Sequence, residues 1–562
     1  MDVKAPVSRE WAWTALLCAL GLLLVLYPMF LSGFARMPSD PGDTRLNNYI
    51  LEQGYQWVRG AAEFWNPRMF FPVPGTLAYT DILLGTAPIY WLLRWAGTAP
   101  DTSHQLWIAV LLLLDFVVAK AALKRMIEAD PRAISLAAFV FAFGNPRGAQ
   151  LNHQQMLPQM FFWICILAST RLLVPRSETR FSAVGWIAAF WTAWVLQIYA
   201  GFYLGWFLTL GLGAWVFAAA TSRASRSLLM NAWRKNGRAM IAGGVLAAIA
   251  LLPMAIPYLR TGREIGFRRF ADVKPMLPRI SSWFFSGREN WLYGWQAGTW
   301  PWRETAESSL AHEHAMSVGF ITMGLAAWGL WTRRNHPAIR ALIIASAAVA
   351  LSVTMLYPRV TIWGILYPVM PGASGIRAMT RIALLFLVPI AIGLALAFDR
   401  LLAPPRRGLR AWAPWALGLC VILEQGRAQS SYDKLAIRED VDQLSAEVKR
   451  LRCPTFFYSP VLPASTSEPL DHYPIQEAGT PWPHRVPWKY QVDAMWAQMQ
   501  TGIPTWNGYS GNFPRDWWPL LFAHAIRTEA DESRVADGLR RWRELKSIQP
   551  LGACWIRLQV SH

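Results

Sequence analysis

The sequence predicts an all-α polytopic membrane domain of about eleven transmembrane helices, followed by a C-terminal α+β domain on the extracytoplasmic side. Hydrophobic residues make up 54% of the 562 residues and charged residues only 16%, and long apolar runs recur along the chain. Aromatic residues make up 13%, which suits a membrane protein because amphipathic rings settle at membrane interfaces.

The charge balance is strongly basic. The net charge is +19, because 54 Lys and Arg residues face 35 Asp and Glu residues. A soluble protein this basic would be suspected of binding nucleic acid. The positive mean hydropathy of +0.22 argues against that class, since excess Lys and Arg in a polytopic membrane protein gathers in cytoplasmic loops. The sequence has no glycine-rich phosphate loop and no dinucleotide fingerprint, so direct nucleotide use is not indicated.

The apolar runs set the number of spans. The first run follows Lys4 and Arg9, is too long for a typical signal peptide and lacks a clean cleavage site, so we interpret it as a retained signal anchor. We expect spans near 11–33, 104–123, 133–147, 157–174, 182–199, 202–220, 239–258, 315–332, 338–356, 378–398 and 411–424.

Basic loops set the orientation. The segment 223–238 carries five Lys and Arg residues without an acid, and further basic clusters begin at Arg333 and Arg400. Placing all three in the cytoplasm puts the N-terminus inside and the loops 34–103 and 259–314 outside. The apolar stretch 81–97 would invert everything upstream if it spanned, so we expect an interfacial or re-entrant helix there. The tail is thereby predicted to lie outside, in the periplasm if the source is Gram-negative, and the predicted location is then the bacterial inner membrane.

The composition changes after the last span. Residues 1–424 form the predicted membrane domain, and residues 425–562 are rich in acids and Pro with short apolar runs, which favours a small α+β domain. This tail contains Cys453 and Cys554, each beside a strand-like run. In an exported domain they are expected to form a disulfide, with two unpaired buried thiols as the alternative.

The first external loop opens with two carboxylates, Asp40 and Asp43, in Pro- and Gly-shaped turns before an amphipathic stretch. A carboxylate held there could accept a proton from an incoming hydroxyl or amine. The alternative is that Asp43 only caps a helix beginning at Thr44, since Asp before an amphipathic run is a common helix start.

Six segments of the chain carry a resemblance to a known family. They are GDTRLNNYILE (42–52), FFPVPGTLAYTD (70–81), LLGTAPIYW (83–91), GAQLNHQQMLPQ (148–159), GIRAMTRIALL (375–385) and NGYSG (507–511). These segments resemble the membrane-embedded GT-C glycosyltransferases, a superfamily that includes oligosaccharyltransferases, protein O-mannosyltransferases and the aminoarabinose transferase of lipid A. The most similar branch is that of the bacterial YfhO-like proteins. The topology resemblance covers about residues 1–424.

The resemblance implies a GT-C-type enzyme that transfers a sugar from a polyprenyl-phosphate-linked donor to a lipid, glycan or protein acceptor at the outer face of the membrane. It also implies an Asp in the first external loop as the base of an inverting transfer. The matching residue here is Asp43, with Asp40 as the second candidate.

Other polar residues supply candidate supporting groups. His153 and Gln154 lie before an apolar run, and His312 and Glu313 precede the eighth expected span. The comparable loop of oligosaccharyltransferases carries metal-binding acids, but the segment 148–159 has none, so no metal ligand is assigned and a divalent metal requirement stays open. The spacing of His312, Glu313 and His314 also differs from the i, i+4 pair of zinc proteases. A lone His at a helix end is often only an interface residue.

Arg377 and Arg381 lie one helical turn apart at the start of the tenth expected span. A guanidinium group forms forked hydrogen bonds that match phosphate oxygens, and it can neutralise the charge that develops on a leaving phosphate. These two residues are therefore the candidate donor-binding pair. The alternative is that both side chains extend to the membrane interface without a ligand.

Two other classes of function share the apolar bulk and the basic loops. A transporter or flippase of lipid-linked saccharides would place ionisable groups or broken helices near mid-membrane, whereas the polar groups here concentrate at one interface. A non-catalytic cell-envelope assembly protein that keeps the fold is the third possibility.

Overall fold

The computed structural model describes residues 7–174, 182–307, 310–356, 360–403, 411–462, 472–475, 484–521, 525–548 and 553–559. Its helices are α1 (Val7–Leu31), α2 (Asp43–Val58), α3 (Ala87–Trp95), α4 (Pro100–Met126), α5 (Pro131–Phe143), α6 (Asn145–Ala149), α7 (Met160–Leu173), α8 (Ala183–Ala200), α9 (Phe202–Ala220), α10 (Arg223–Ile265), α11 (Phe270–Val273), α12 (Arg303–Ala306), α13 (Phe320–Thr332), α14 (Pro337–Val353), α15 (Trp363–Leu366), α16 (Ala383–Leu402), α17 (Ala413–Glu424), α18 (Lys434–Leu451), α19 (Trp488–Thr501), α20 (Trp518–Leu521) and α21 (Glu529–Leu545).

Strands are short and pair two by two. They are β1 (Arg36–Pro38), β2 (Ser431–Asp433), β3 (Phe456–Tyr458), β4 (His472–Ile475), β5 (His484–Pro487) and β6 (Cys554–Ile556). β1 pairs with β2 and β4 with β5 in antiparallel fashion, whereas β3 and β6 are parallel, with Phe456 opposite Cys554.

The chain forms two compact units. One, the helical unit, comprises Met1–Leu31, Gln105–Leu252 and Arg268–Ser430. The other, the mixed unit, comprises Ser32–His104, Pro253–Phe267 and Ser431–His562. The mixed unit therefore contains the whole of the segment 34–103, the expected first external loop, and the tail from Ser431 onward. The division of the chain at residues 424 and 425 into two domains stays a prediction.

Among the described residues, seven helices are long and apolar enough to cross a membrane. They lie at Glu10–Leu31, Pro100–Met126, Gln154–Leu173, Ala183–Ala200, Phe202–Ala220, Arg223–Ile265 and Met379–Leu402. The other four expected spans are also helical but shorter, namely α5, α13, α14 and α17. The described residues thus support a polytopic membrane protein, and the number eleven stays a prediction.

The segment 223–238 departs from the sequence prediction of a cytoplasmic loop. It is the first part of α10, a continuous helix of 43 residues. Long straight side chains such as Arg and Lys lose little rotamer freedom in a helix, so a basic stretch can extend an apolar helix beyond the membrane. Part of the third basic cluster, Arg406, Arg407 and Arg410, lies outside the described residues.

Close backbone contact characterises the pairing of α13 with α16 in the helical unit. An added Cβ at Gly329 would collide with the carbonyl oxygen of Gly393, and one at Gly393 would collide with that of Ala326. Small residues at such crossings let helix backbones approach, which compensates for the weak hydrophobic drive between helices in lipid.

A buried ion pair fixes the turn that follows α5 in the same unit. Arg147 and Asp115 are both fully buried, with 2.9 Å between Nη1 and Oδ2. Arg147 also donates to the carbonyl oxygens of Phe141 and Leu157, and Asp115 accepts from the backbone N–H of Gln159. These bonds hold the segment 145–159, which carries several of the candidate site residues.

In the mixed unit, Cys453 and Cys554 are joined by a disulfide with 5.8 Å between their Cα atoms, the pairing expected from the sequence.

The stretch 81–97 contains only the nine-residue helix α3. At 1.5 Å per residue it is about 14 Å long, too short for a hydrocarbon core of about 30 Å. Its length agrees with the expected interfacial or re-entrant helix.

Candidate functional site

In the mixed unit, Asp43 is the first residue of α2 rather than its cap. The N-cap residue is Gly42, which has no side chain with which to cap the helix. One carboxylate oxygen of Asp43 accepts a hydrogen bond of 2.7 Å from the hydroxyl of Tyr509. Asp43 is half-buried, so its carboxylate is held in one orientation and still reaches the surface of the unit. The alternative, in which Asp43 only caps a helix beginning at Thr44, differs from the structure, because Asp43 is itself the first residue of the helix.

The turn before α2 depends on Asp40 instead. Its Oδ1 accepts from the backbone N–H of Gly42 at 2.8 Å and from that of Asp43 at 3.1 Å. Asp and Asn commonly stabilise turns in this way. Asp40 thus has a structural role in the turn that presents Asp43.

In the helical unit, Glu313 and Arg381 form a buried ion pair. Both are largely removed from solvent, at 2% and 7% exposure. Arg381 donates from Nη2 to Oε1 at 2.5 Å and from Nε to both carboxylate oxygens at 3.2 and 3.1 Å. The sequence predicted a supporting role for Glu313 and a donor-phosphate role for Arg381, as two separate residues. In the structure the two side chains form one ion pair.

Two imidazoles and an amide surround the same carboxylate. His153 Nε2 lies 4.0 Å and His312 Nε2 3.9 Å from Glu313 Oε1, and the two imidazole rings are stacked with centroids 6.2 Å apart. Gln150 donates from its side-chain amide to Glu313 Oε2 at 3.2 Å. Gln154, predicted to be a supporting residue, is buried and donates to the carbonyl of Leu151, so its bond stabilises the local turn.

The charge state of Glu313 follows from these neighbours. Burial alone would raise the pKa of Glu313, but the charge of Arg381, the charge of His153, the hydrogen bond from Arg381 and the charge of His312 together hold that pKa well below its ordinary range. A carboxylate this acidic is a poor proton acceptor at neutral pH. Its chemistry is that of a fixed negative charge that orients the guanidinium of Arg381.

Tyr203, near the start of α9, links Arg381 to further arginines. The Arg381 guanidinium lies over the Tyr203 ring, 5.3 Å from its centroid. The Tyr203 hydroxyl accepts from the backbone N–H of Arg377 at 2.8 Å and from that of Ala378 at 3.3 Å. The ring therefore holds the backbone of the segment 377–381 as well as one of its side chains.

Arg268 completes this group. Burial lowers the pKa of Arg268; the interactions with Tyr203, Asp272 and Tyr367 oppose that shift, and the positive charge of Arg377 adds to it. Two guanidinium groups close enough to repel each other create a positive potential that suits an anion. We refer to Arg268, Arg377, Arg381 and Tyr203 as the arginine cluster.

The described residues contain no group of three or more His, Cys, Asp or Glu side chains arranged to hold a metal ion. His153, His312 and Glu313 have suitable donor atoms, but the hydrogen bonds of Arg381 engage both oxygens of the carboxylate. The arrangement is therefore that of an ion-pair network.

Tyr203 and Gln150 were not singled out as site residues in the sequence. Tyr203 lies at the start of an apolar run and is 174 residues away from Arg377, so no local pattern marks it. Gln150 lies within the segment 148–159, which the sequence analysis did select. A polar residue next to the selected His153 and Gln154 was the available signal.

Comparison with known proteins finds similarity only among solved structures; no family model and no curated protein matches. One match is the arabinofuranosyltransferase AftD from mycobacteria, with a TM-score of 0.48 and 17% identity, covering 82% of this chain and 30% of that chain. Another is the apo oligosaccharyltransferase of Archaeoglobus fulgidus, with a TM-score of 0.48 and 11% identity, covering 90% of this chain and 65% of that chain. A third is AglB from Archaeoglobus fulgidus with an inhibitory peptide and a dolichol-phosphate, with a TM-score of 0.49, 12% identity and coverage of 95% and 68%.

These neighbours are an arabinofuranosyltransferase and an oligosaccharyltransferase. The YfhO-like branch stays a prediction. The chain spans less than a third of the length of AftD and about two thirds of the archaeal chains. Since all three TM-scores are below 0.5, no activity and no residue role is transferred from them, and the roles below depend on the contacts within this chain.

Proposed function

We propose that this protein is a membrane glycosyltransferase that moves a sugar from a polyprenyl-phosphate-linked donor to a lipid, glycan or protein acceptor at the outer face of the bacterial inner membrane. The observation that carries the proposal is the arginine cluster. In it the Arg381 guanidinium lies over the Tyr203 ring and the backbone N–H of Arg377 donates to the Tyr203 hydroxyl, at the polar end of the apolar helices α9 and α16. The charge of Arg268 interacts with both Tyr203 and Arg377. A lipid-linked phosphate needs this combination of positive charge and adjoining apolar surface.

Arg377 and Arg381 are proposed to bind the donor phosphate. Glu313 fixes the guanidinium of Arg381 through two donor nitrogens, so the positive charge is oriented before a ligand arrives. Preorganised charge of this kind stabilises the negative charge that develops on a leaving phosphate more in the transition state than in the ground state. His153 and His312, next to the same carboxylate, support the pair.

Asp43 is proposed to act as the general base of an inverting transfer. The hydrogen bond from Tyr509 fixes one carboxylate oxygen, and the turn held by Asp40 sets the start of α2. Positioning of this kind suits a base that must meet the acceptor hydroxyl or amine at one geometry. Asp40, occupied by two backbone N–H groups, is the weaker candidate for catalysis.

The test uses the full-length protein, purified and reconstituted in lipid, with a panel of radiolabelled polyprenyl-phosphate sugars and membrane acceptors. Sugar transfer by the wild type supports an enzyme, whereas donor movement across the bilayer without transfer supports a flippase. We expect Asp43→Asn to reduce the turnover number by about 100-fold or more with the thermal unfolding midpoint unchanged. Full transfer activity in a folded Asp43→Asn variant would exclude this residue as the essential base.

The donor site is tested separately. Arg377→Gln is expected to raise the KM for the donor by about tenfold, because one phosphate contact worth roughly 1.4 kcal/mol is lost. Arg340→Gln removes an exposed arginine on α14 and serves as the matched control. An unchanged donor KM in Arg377→Gln would reject the phosphate role while leaving the role of Asp43 intact.

A further inference from the structure

The helical unit contains an apolar cavity in addition to the arginine cluster. It is a cavity of about 520 Å³ between α7, α9, α14 and α16. Apolar side chains dominate its wall, among them Phe162, Leu212, Trp215 and Ile392. The volume and lining are those of a site for a small molecule or a single lipid chain.

The cavity extends away from the arginine cluster. On α9 its lining runs from Leu208 to Trp215, and on α16 from Leu385 to Leu396. Tyr203 and Arg381 lie before these stretches, so the far end of the cavity points toward the opposite ends of both helices. The twelve-residue stretch of α16 from Leu385 to Leu396 is about 17 Å long, about half of a hydrocarbon core.

Charged groups mark that far end. Among the described lining residues, the ionisable ones are Glu128, Arg333 and His336, and all three lie beyond the ends of the apolar helical segments. Arg334 follows Arg333 directly, with its guanidinium stacked 4.4 Å from the centroid of the Trp331 ring. The positive end of the α14 helix dipole begins beside them at Pro337. Arg333 and the helix dipole therefore supply positive charge at this mouth, opposite the single carboxylate of Glu128.

We propose that this cavity binds one acyl chain of an anionic phospholipid, with the lipid phosphate against Arg333 and His336. An apolar slot with a basic mouth is complementary to an amphiphile of this kind, since the chain loses no hydration and the phosphate gains a guanidinium partner. The binding site is at the helix ends opposite to those that carry the donor-binding candidates. It is therefore distinct from the proposed donor site and does not depend on the proposed transfer reaction.

The experiment uses full-length protein that is delipidated in detergent and then mixed with phosphatidylglycerol and phosphatidylcholine in equal amounts. Native mass spectrometry counts the bound lipids of each kind, and thermal unfolding verifies that each variant is folded. Ser346→Phe fills the cavity, and Ala348→Phe, an exposed position two residues later on α14, is the control for bulk. Arg333→Gln removes the phosphate partner, and Arg334→Gln is its control because Arg334 does not line the cavity.

We expect the wild type to retain one phosphatidylglycerol molecule with about a fivefold preference over phosphatidylcholine, as one basic residue near a lipid phosphate provides. Ser346→Phe should lose this molecule and Ala348→Phe should keep it. Arg333→Gln should lose the preference for the anionic lipid and Arg334→Gln should retain it. If Ser346→Phe does not fold, Leu212→Trp fills the same cavity and decides the question.

Three results would overturn the proposal. One is wild-type lipid occupancy in a folded cavity-filling variant. Another is equal retention of the two phospholipids by the wild type. The third is displacement of the bound phosphatidylglycerol by polyprenyl phosphate with equal effect of Arg333→Gln and Arg334→Gln, which would assign the cavity to the chain of the donor.

Discussion

At the scale of single residues, the pair of Glu313 and Arg381 determines how the polar centre of the helical unit is built. A buried ion pair gains little over an apolar pair, because both charges lose their hydration. Removing one partner strongly destabilises the protein, because it leaves an uncompensated charge in a site that excludes water. A pair of this kind therefore suits a role in placing the guanidinium rather than in stabilising the fold.

Glu313→Gln is expected to lower the free energy of unfolding by about 3–5 kcal/mol, because Arg381 would remain buried and charged without its carboxylate. The double variant Glu313→Gln with Arg381→Met should recover a large part of that loss. Denaturation of the purified protein in detergent measures both, and the double-mutant cycle gives the coupling energy. Equal, additive losses in the two single variants would contradict a direct pair.

The free energy of unfolding is expected to depend on pH through His314. Burial, with the charge of Arg279, lowers the pKa of His314 from 6.5 to about 4, against the opposing effects of the Pro275 carbonyl and Glu313. Its Nδ1 lies 2.8 Å from the Ser282 hydroxyl oxygen. Because the folded pKa is below the unfolded value, the unfolded state takes up the proton first as the pH falls. His314 therefore reduces stability increasingly from pH 6.5 down to about 4.

His314→Gln should consequently flatten this part of the stability profile, by up to about 3 kcal/mol at pH 4 relative to pH 7. Thermal unfolding midpoints across that pH range measure the effect. The wild type, measured over the same pH range, gives the reference slope. A slope in His314→Gln as steep as in the wild type would contradict this account.

Single residues also show where sequence reasoning succeeded and where it could not. His153, His312, Glu313 and Arg381 were each selected from local patterns, and the structure places them together. Their pairing was not predictable, since Glu313 and Arg381 are 68 residues apart and nothing in either segment refers to the other. The contact of Tyr509 with Asp43 spans 466 residues, and it depends on the tertiary fold of the mixed unit.

At the scale of elements, the crossing of α13 and α16 depends on glycine. Gly329→Val should destabilise the protein by at least about 1–3 kcal/mol, because the added carbons meet the backbone of α16. Gly324→Val on the same helix is the matched control, since a Cβ there meets nothing within 4 Å. Thermal unfolding and the yield of folded protein are the readouts. If both variants unfold at the same temperature, the close approach of the two backbones is not required.

Hydrophobic patterning predicted the helices of the helical unit better than it predicted their ends. Each expected apolar run contains a helix. An apolar run of about 20 residues indicates a segment surrounded by lipid or protein rather than by water, and such a segment is helical. The basic segment 223–238 shows the limit of this signal. Charge reports which side of the membrane a segment occupies, but both helix and loop tolerate Arg and Lys, so the continuation of α10 was not predicted.

At the scale of the whole molecule, the remaining question is which segments lie on each side of the membrane. The orientation is predicted from the basic segments at 223–238 and after Arg333, both expected in the cytoplasm. The length of α3 fits this prediction, because a helix of nine residues is about 14 Å long and a hydrocarbon core is about 30 Å thick. The disulfide of the mixed unit also fits an oxidising compartment.

Topology reporters test this orientation directly. Alkaline phosphatase, which needs an oxidising compartment, should be active when fused after residue 60 or after residue 452, and green fluorescent protein should fluoresce when fused after Arg333 or before the first span. Fusion after residue 97 is the decisive case. Activity there equal to that after residue 60 is expected if α3 does not span. If the fusion after residue 97 is inactive while the fusion after residue 60 is active, the segment 81–97 crosses the membrane. The count of eleven spans would then be wrong.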